Sequence, residues 1–510
     1  MESGLAARNG GRAGLAALVA IVLLGLGLRV GYAWDGRAPV YDAQAYAAIA
    51  SNLEQGHGFT VGTGATQPSS NYSPGLPLAA AAVYEVTGGV HERTARVLLA
   101  VIGALSVLFT YLIGRRLGHP LAYPPRASEV DKRGGAQRLM NRAHQGVGNS
   151  ASIIAGLIGA LAVAVYPAFL EYGGMLMSEP LAATLLSGAV LAIFWAIDVS
   201  RPRAIEASIG DSIVWPRWLI AGLALGGLAM VRPEYLAVGV LLAVVVAITE
   251  VWLSLSANTA AKDSHVRRGW RAARGGALVV AGIALVVVPW TVRNAVALDR
   301  FVPISTGGGQ VLYAGTYLPS DGDPERVGAG VVAEHPELFA PAAAQRLRLE
   351  QILARLAAAT YPDLEADQAL SRMGREQLWD DVSEEPLEYA GFVAGKVGRI
   401  WSHGPRDVMR EPVWEALHWA LVGFGLLGLA VLAWRRRWEA LIPATVFLSI
   451  TAVSALLVAS PRRVLVLIPL VAALAGVGVV WLWDQRLRLF PHPDVENRAS
   501  GKDDRPARIA

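Results

Sequence analysis

The sequence predicts an all-α protein that crosses a membrane many times, and three observations carry that prediction. Hydrophobic residues make up 54% of the 510 residues and charged residues only 17%, well below the roughly 25% charged residues of soluble domains. The apolar residues gather in runs of about 17–25, the length a helix needs to cross a bilayer. Lys and Arg gather in alternate loops, as the positive-inside rule requires.

The runs lie near 13–33, 94–117, 151–168, 176–197, 216–232, 235–255, 275–292, 413–434, 439–459 and 463–484, about ten spans. The first is longer than the roughly 7–15 apolar residues of a secretory signal, and no small-residue cleavage site clearly follows, so it reads as a retained helix. The shorter run from Tyr72, "YSPGLPLAAAAVYEV", reads as an interfacial or re-entrant helix. With the N-terminus in the cytoplasm, the inner loops hold Arg115, Arg116, Arg126, Lys132, Arg133, Arg138 and Arg142, and then Arg201, Arg203 and Arg217. Lys262, Arg267, Arg268, Arg271 and Arg274 follow, then Arg435, Arg436 and Arg437, and the tail adds Arg486 and Arg488. Both termini are then cytoplasmic, in an inner or plasma membrane.

This divides the chain into an N-terminal transmembrane module, 1–292, with an external loop 34–93; an external segment, 293–412; C-terminal transmembrane helices, 413–484; and a cytoplasmic tail, 485–510. The external segment holds "APAAAQRLRLEQILARLAAA" and "DQALSRMGREQLWDDV", both with helical spacing, so it is a partly helical external domain. "EEPLEYAGFVAGKVGRIWSHGP", with acids first and a Lys–Arg–Trp end, reads as a helix at the membrane surface. The polar stretch 125–150 reads as a flexible inner loop without chemistry.

Composition removes several chemistries. With no cysteine there is no disulfide, thiolate metal site or Cys nucleophile. The nine His show no metal-ligand spacing, so a divalent metal finds no support in the sequence. A net charge of +4 gives no argument for nucleic acid. "SDGDPE" (320–325) lacks the later ligands of a calcium loop and reads as a turn. "STGGGQ" (305–310) lacks the Lys of a phosphate-binding loop.

The candidate residues gather at the outer ends of the spans. Asp42 follows the first helix, where a carboxylate can act as general base at the water–lipid boundary; a solvated loop acid is the plainer alternative. Glu179, in "MSEPL", opens an apolar helix, where the macrodipole favours an acid in any case; Glu171 has the same status. Arg232 and Glu234, in "VRPEY", sit between two apolar helices, and charges so close to hydrocarbon usually face a cavity or a partner. Arg293 and Asn294 end a helix after Trp290, a common interfacial anchor. Arg462 and Arg463, in "ASPRRV", lie outside against the charge rule and at the start of a helix. There their charge opposes the dipole, so an anion such as a lipid phosphate would offset the cost.

These motifs, taken in order, resemble the GT-C superfamily of membrane glycosyltransferases. The nearest likeness is to the bacterial branch of the protein O-mannosyltransferases and the lipid A aminoarabinose transferase. The resemblance runs over about 13–484 and rests on "YDAQAYAAIASNLEQGHGF", "NYSPGLPLAAAAVY", "MSEPL", "VRPEY", "PWTVRNAVALDRFVPISTGGG" and "ASPRRVLVLIPLVAALAGVG". It implies transfer of a hexose or pentose from a polyprenyl-phosphate-linked donor to an envelope lipid, glycan or protein at the outer face. It implies Asp42 as general base, and Tyr46, Tyr72, Glu179, Arg232, Arg293 and Arg463 as the donor and phosphate-binding set. Two departures stand out. "SSNYSPG" lacks the Lys that members often carry near the proline motif, and Ala43 follows Asp42 where many relatives have a second acid; a metal bridged by adjacent acids is therefore unsupported. The alternative from another class is a transporter or flippase of lipid-linked sugars, which would place polar or broken helices at mid-membrane in repeated halves. Here the charges gather at the outer ends and no inverted repeat is evident.

Overall fold

Helices form wherever the sequence is apolar over a sufficient length, and one helix meets each of the expected spans. The computed structural model describes residues 2–36, 42–62, 67–119, 136–200, 215–256, 265–320, 323–339, 347–402 and 404–489. Among these residues the helices are α1 (Glu2–Asp35), α2 (Asp42–Glu54), α3 (Gly75–Thr87), α4 (Glu92–Gly118), α5 (Ala136–Val165), α6 (Pro167–Gly174), α7 (Ser178–Ser200), α8 (Trp215–Val231), α9 (Tyr235–Ser256) and α10 (His265–Leu298). There follow α11 (Gly308–Thr316), α12 (Pro324–Glu334), α13 (Leu349–Thr360), α14 (Ala366–Glu384), α15 (Pro386–Ser402), α16 (Pro412–Trp434), α17 (Leu441–Leu456), α18 (Pro461–Leu465) and α19 (Ile468–Leu489).

Eight helices are long and apolar enough to cross a membrane, or nine if the bent pair α5–α6 is one span. The tenth expected span, near 216–232, is α8, whose 17 residues leave it among the shorter apolar helices. The protein is a multi-pass membrane protein built from helices. Its helices approach closely at glycines: α16 meets α19 at Gly428 and Gly478, and α8 meets α10 at Gly222 and Gly282, where an added Cβ would strike the facing backbone. Helices in lipid associate through such close packing, since hydrocarbon supplies no hydrophobic drive between them.

Two expectations are corrected in detail. Residues 136–150, read as part of a flexible loop, are the first half of α5; residues 120–135 lie outside the described ones. The span expected over 151–168 bends by 45° at Tyr166 and continues as α6. The cause is Pro167, which has no N–H to donate and whose ring crowds the carbonyl four residues back. That carbonyl, on Val163, is taken up by Arg29 of α1 at 2.8 Å, with the Ala164 carbonyl at 3.2 Å. Arg29 is buried against Phe169. A cation inside a membrane helix thus has a structural job here, satisfying backbone groups freed by a helix break.

The expected external segment is ordered and has its own core, in which Tyr313, Val327, Phe339, Leu353 and Leu370 pack together. Pro324, inside the "SDGDPE" stretch, opens α12. The first external loop is tied to this segment: Thr306 donates from its backbone to the Ser70 carbonyl and from its hydroxyl to Asn71 Oδ1, both at 2.8 Å. The amphipathic α15 forms as the sequence suggests, burying Tyr389, Phe392, Lys396 and Ile400 along one face. Its lysine is therefore inside the protein rather than out among headgroups.

Candidate functional site

At one end of the helix bundle, the end expected to face outward, the helices converge on a cavity of about 340 Å³. Its floor comes from three turns between spans: Ser178, Arg232 with Glu234, and Ser460 with Arg462 and Arg463. Asp42 and Tyr46 of α2 line one side, and Gln310 of α11 comes from the external segment. It is enclosed by stretches of the N-terminal module (Asp42, Tyr46, Ser73, Ser178 and 231–234), by two of the 293–412 segment (310–314 and Leu349) and by 458–463.

The charged groups form one connected chain. Arg462 donates from Nη1 to Asp42 Oδ2 at 2.9 Å and from Nε to Glu179 Oε1 at 2.7 Å. Arg232 lies 3.2 Å from the same Glu179 oxygen and donates to Glu234 Oε1 at 2.9 Å. Arg463 closes the chain, 4.0 Å from Glu234 Oε1. Three arginines therefore face three carboxylates, and the formal charge of the chain is zero. Glu179 is fully buried, yet its Oε2 has no hydrogen-bond partner. Asp42 is the open end: its side chain keeps 37% of its exposure.

The members of the chain are not equally compensated. Burial opposes the charge of Glu234, but Arg232 and Arg463 outweigh it and hold its carboxyl below the usual range. Burial likewise opposes the charge of Arg232 and of Arg462, but their carboxylates outweigh it and hold both guanidinium groups above the ordinary value. For Arg463 burial prevails, and its value is lowered. Arg463 is thus the cation with the most unmatched charge, the position at which an anion gains most.

The expected site residues divide accordingly. Asp42, Tyr46, Arg232 and Arg463 line the cavity. Glu179 lies just beneath it and anchors two of the arginines. Tyr72 lies behind Tyr46, ring against ring at 5.7 Å. Burial, with help from nearby acids, raises the Tyr46 phenol and pushes that of Tyr72 up to about 12, so both remain hydrogen-bond donors at neutral pH. Arg293 lies apart from the cavity lining. Its guanidinium donates to the Ser69 carbonyl at 3.0 Å and the Phe59 carbonyl at 3.2 Å, and lies over the Trp290 and Phe59 rings. There it clamps the first loop to α10. Asn294 does similar work, donating to the Val302 and Ile304 carbonyls at 3.0 Å.

Sequence reasoning singled out "PRR" but did not see that its two arginines do different work. Adjacent helical residues point about 100° apart, so Arg462 meets Asp42 and Glu179 while Arg463 meets Glu234. Gln310 was missed; it sits in the Gly-rich stretch that was set aside for want of a Lys. Glu171 is paired with Arg406 at 2.6 Å beside a second cavity of about 460 Å³. That cavity is also lined by Asp35 and Gly31 of α1. Among the described residues no three His, Asp or Glu side chains are grouped as a metal set.

No protein-family model matches the sequence, and no curated protein matches it. Solved structures do. The archaeal oligosaccharyltransferase AglB from Archaeoglobus fulgidus, in complex with an inhibitory peptide and a dolichol-phosphate, superposes on 97% of this chain and 52% of its own, at 16% identity and a TM-score of 0.50. The apo form of the oligosaccharyltransferase from that organism covers 95% of this chain and 52% of its own, at 15% identity and a TM-score of 0.51. ArnT from Cupriavidus metallidurans bound to undecaprenyl phosphate covers 90% and 77%, at 14% identity and a TM-score of 0.35. The chain spans about half the length of the oligosaccharyltransferases it matches. At such identities the likeness is one of fold: this is a multi-pass helical membrane protein that shares the fold of those oligosaccharyltransferases over about half of their length.

Proposed function

We propose that the protein is a membrane glycosyltransferase that moves a sugar from a polyprenyl-phosphate-linked donor to a cell-envelope acceptor, with Asp42 as general base. The observation that carries this reading is the position of Asp42. Its Oδ2 is held by Arg462, while the carboxylate lines a cavity whose other wall carries three arginines. Group transfer from a phosphate needs a base for the acceptor and cations for the leaving group, and both are within one pocket.

In this reaction the acceptor hydroxyl gives its proton to Asp42, and its oxygen forms a bond to the anomeric carbon. The bond from that carbon to the phosphate oxygen breaks, and the electron pair leaves with the lipid phosphate. Arg463, the least compensated cation, takes the phosphate, with Arg232 and Arg462 beside it. Glu179 holds those two arginines in place. Tyr46 keeps its phenol proton and serves as a neutral donor on the opposite side, with Tyr72 packed behind it. Arg293 acts at one remove, by fixing the first loop.

The three arginines of the cavity support this donor class, as does the likeness to an oligosaccharyltransferase solved with a dolichol-phosphate. The sugar and the acceptor are read by comparing envelope glycans, by mass spectrometry, from cells with and without the gene. A cell that loses no glycan, and a purified protein that transfers nothing from any polyprenyl-phosphate sugar, would sink the reading and favour a transporter. The proposed orientation has both termini in the cytoplasm. A topology reporter joined at Gly135 should then report the cytoplasm and one at Asp323 the outside, and the reverse result would move the site to the other face.

A further inference from the structure

Lys396 is fully buried on α15, yet no carboxylate among the described residues lies within ion-pair distance of it. Its ammonium donates to the Gly315 carbonyl at 2.5 Å and lies over the Phe392 ring at 5.0 Å. A buried ammonium costs a great deal unless it performs a task or is neutralised, and the position suggests the task. Gly315 is in the last turn of α11, the helix whose Gln310, Val311 and Ala314 line the cavity. At Gly315, α11 presses so closely on Leu457 that a side chain would strike its backbone. Leu457 leads directly into the segment that carries Arg462 and Arg463, and Arg463 itself donates to the Val458 carbonyl. On its other side α15 packs against α18, which bears the two arginines.

We propose that Lys396 is a positioning residue of the transferase site: its ammonium holds the C-terminal turn of α11 against the 457–463 segment and so fixes the distance between the cavity's roof and its arginines. This rests on the reading that the donor phosphate sits at Arg463, and adds a consequence for how that donor is bound. Burial first, and Arg463 second, bring the Lys396 value down to about 7. The other faces contribute no further charge of note. α11 offers only its carbonyl, and α17 carries no ionisable side chain. On α14, Asp381 bears on Tyr389, about two turns from Lys396. A phosphate bound at Arg463 offsets that arginine's field, so Lys396 holds its proton more firmly in the complex than in the free protein. The complex then binds more protons above pH 7, and affinity for an anionic lipid falls as pH rises through about 7. The slope for one linked proton is at most about tenfold per pH unit.

Two measurements on the full-length protein test this. The first is hydrogen exchange of 308–316 at pH 6.5, corrected for intrinsic rates. Lys396→Met, which removes a buried charge and should still fold, is expected to speed exchange of this helix about tenfold or more, and Lys396→Arg to keep it near wild type. The second is binding of undecaprenyl phosphate between pH 6 and 9. Wild type should weaken with rising pH. Lys396→Arg should lack that fall, because its charge persists, and Lys396→Met should bind weakly and lack it too, both variants keeping only the rise that the phosphate's own second ionisation, at about pH 6, gives. Unchanged exchange in Lys396→Met, or a wild-type pH slope retained in that variant, overturns the proposal. A wild-type protein that binds no undecaprenyl phosphate at any pH overturns the donor reading instead, and exchange of 308–316 then decides the role of Lys396 alone.

Discussion

Helix α7 carries a carboxylate at each end, and the two ends differ instructively. Glu179, in its first turn, belongs to the chain Asp42–Arg462–Glu179–Arg232–Glu234–Arg463. Asp198, near its last turn, belongs to the chain Asp198–Arg116–Glu439–Arg437. Both chains alternate in sign and both sum to zero formal charge. At the Asp198 end the arginines are held by structure, although Arg116 Nε is buried without a hydrogen-bond partner. Arg437 donates to the Leu117 and His119 carbonyls at 3.2 and 2.8 Å, and Arg116 lies on the Phe194 and Trp438 rings. None of these groups lines either cavity. At the Glu179 end the chain borders open space, leaves one carboxylate oxygen without a partner and keeps Asp42 accessible. Alternating buried charge is therefore no mark of function by itself; what distinguishes the outer chain is that its charge faces a volume a ligand can enter.

The comparison can be broken experimentally, and the largest expected effect is at Asp42. Asp42→Asn keeps the size of the side chain and removes the base, so transfer from a purified polyprenyl-phosphate sugar should fall about 10²–10⁴-fold with folding unchanged. Asp35→Asn, in the neighbouring cavity, should matter far less. Near wild-type transfer by Asp42→Asn would remove the general base from the mechanism. A dead Asp35→Asn would show that the base has been assigned to the wrong carboxylate.

The inner chain should answer in stability. Glu439→Gln leaves Arg437 and Arg116 short of a buried partner, at a cost of about 3–5 kcal/mol. Denaturation midpoints in detergent should drop, while the rate per folded molecule stays within about twofold. A loss of rate at unchanged stability would erase the distinction between the two ends.

Arg462 tests how the outer chain is held together. Arg462→Met removes the tie between Asp42 and Glu179 and should lower transfer about 10²-fold. Arg462→Lys should recover only part, since one ammonium cannot reproduce the two-pronged contact. Full activity in the lysine variant would show that charge suffices and geometry does not matter. A comparable effect is expected at Arg463, where Arg463→Ala should raise the apparent KM for the donor about tenfold and lower turnover about tenfold, because the leaving phosphate loses a cation. Equal KM in wild type and variant would leave Arg463 as a headgroup contact only.

The sequence by itself determined the membrane class, the order of the spans and the gathering of charge at the ends of the spans. Those features rest on the length of apolar runs and on loop charge, which are local and survive without knowledge of packing. It also singled out "VRPEY" and "PRR", because charge so near hydrocarbon has few innocent explanations. Only the tertiary structure decided which partner each charge has. Asp42 and Arg462 are separated by most of the chain yet meet at 2.9 Å, and no spacing rule in one sequence encodes so distant a pairing. The same holds for Arg293: its Trp–Arg setting reads as an interfacial anchor, and only the structure shows that it reaches the distant Ser69 and Phe59 carbonyls. It holds most for Lys396: helical periodicity leaves a lysine on an amphipathic face free to reach solvent, and only the tertiary structure buries it and sets the Gly315 carbonyl of α11 against its ammonium.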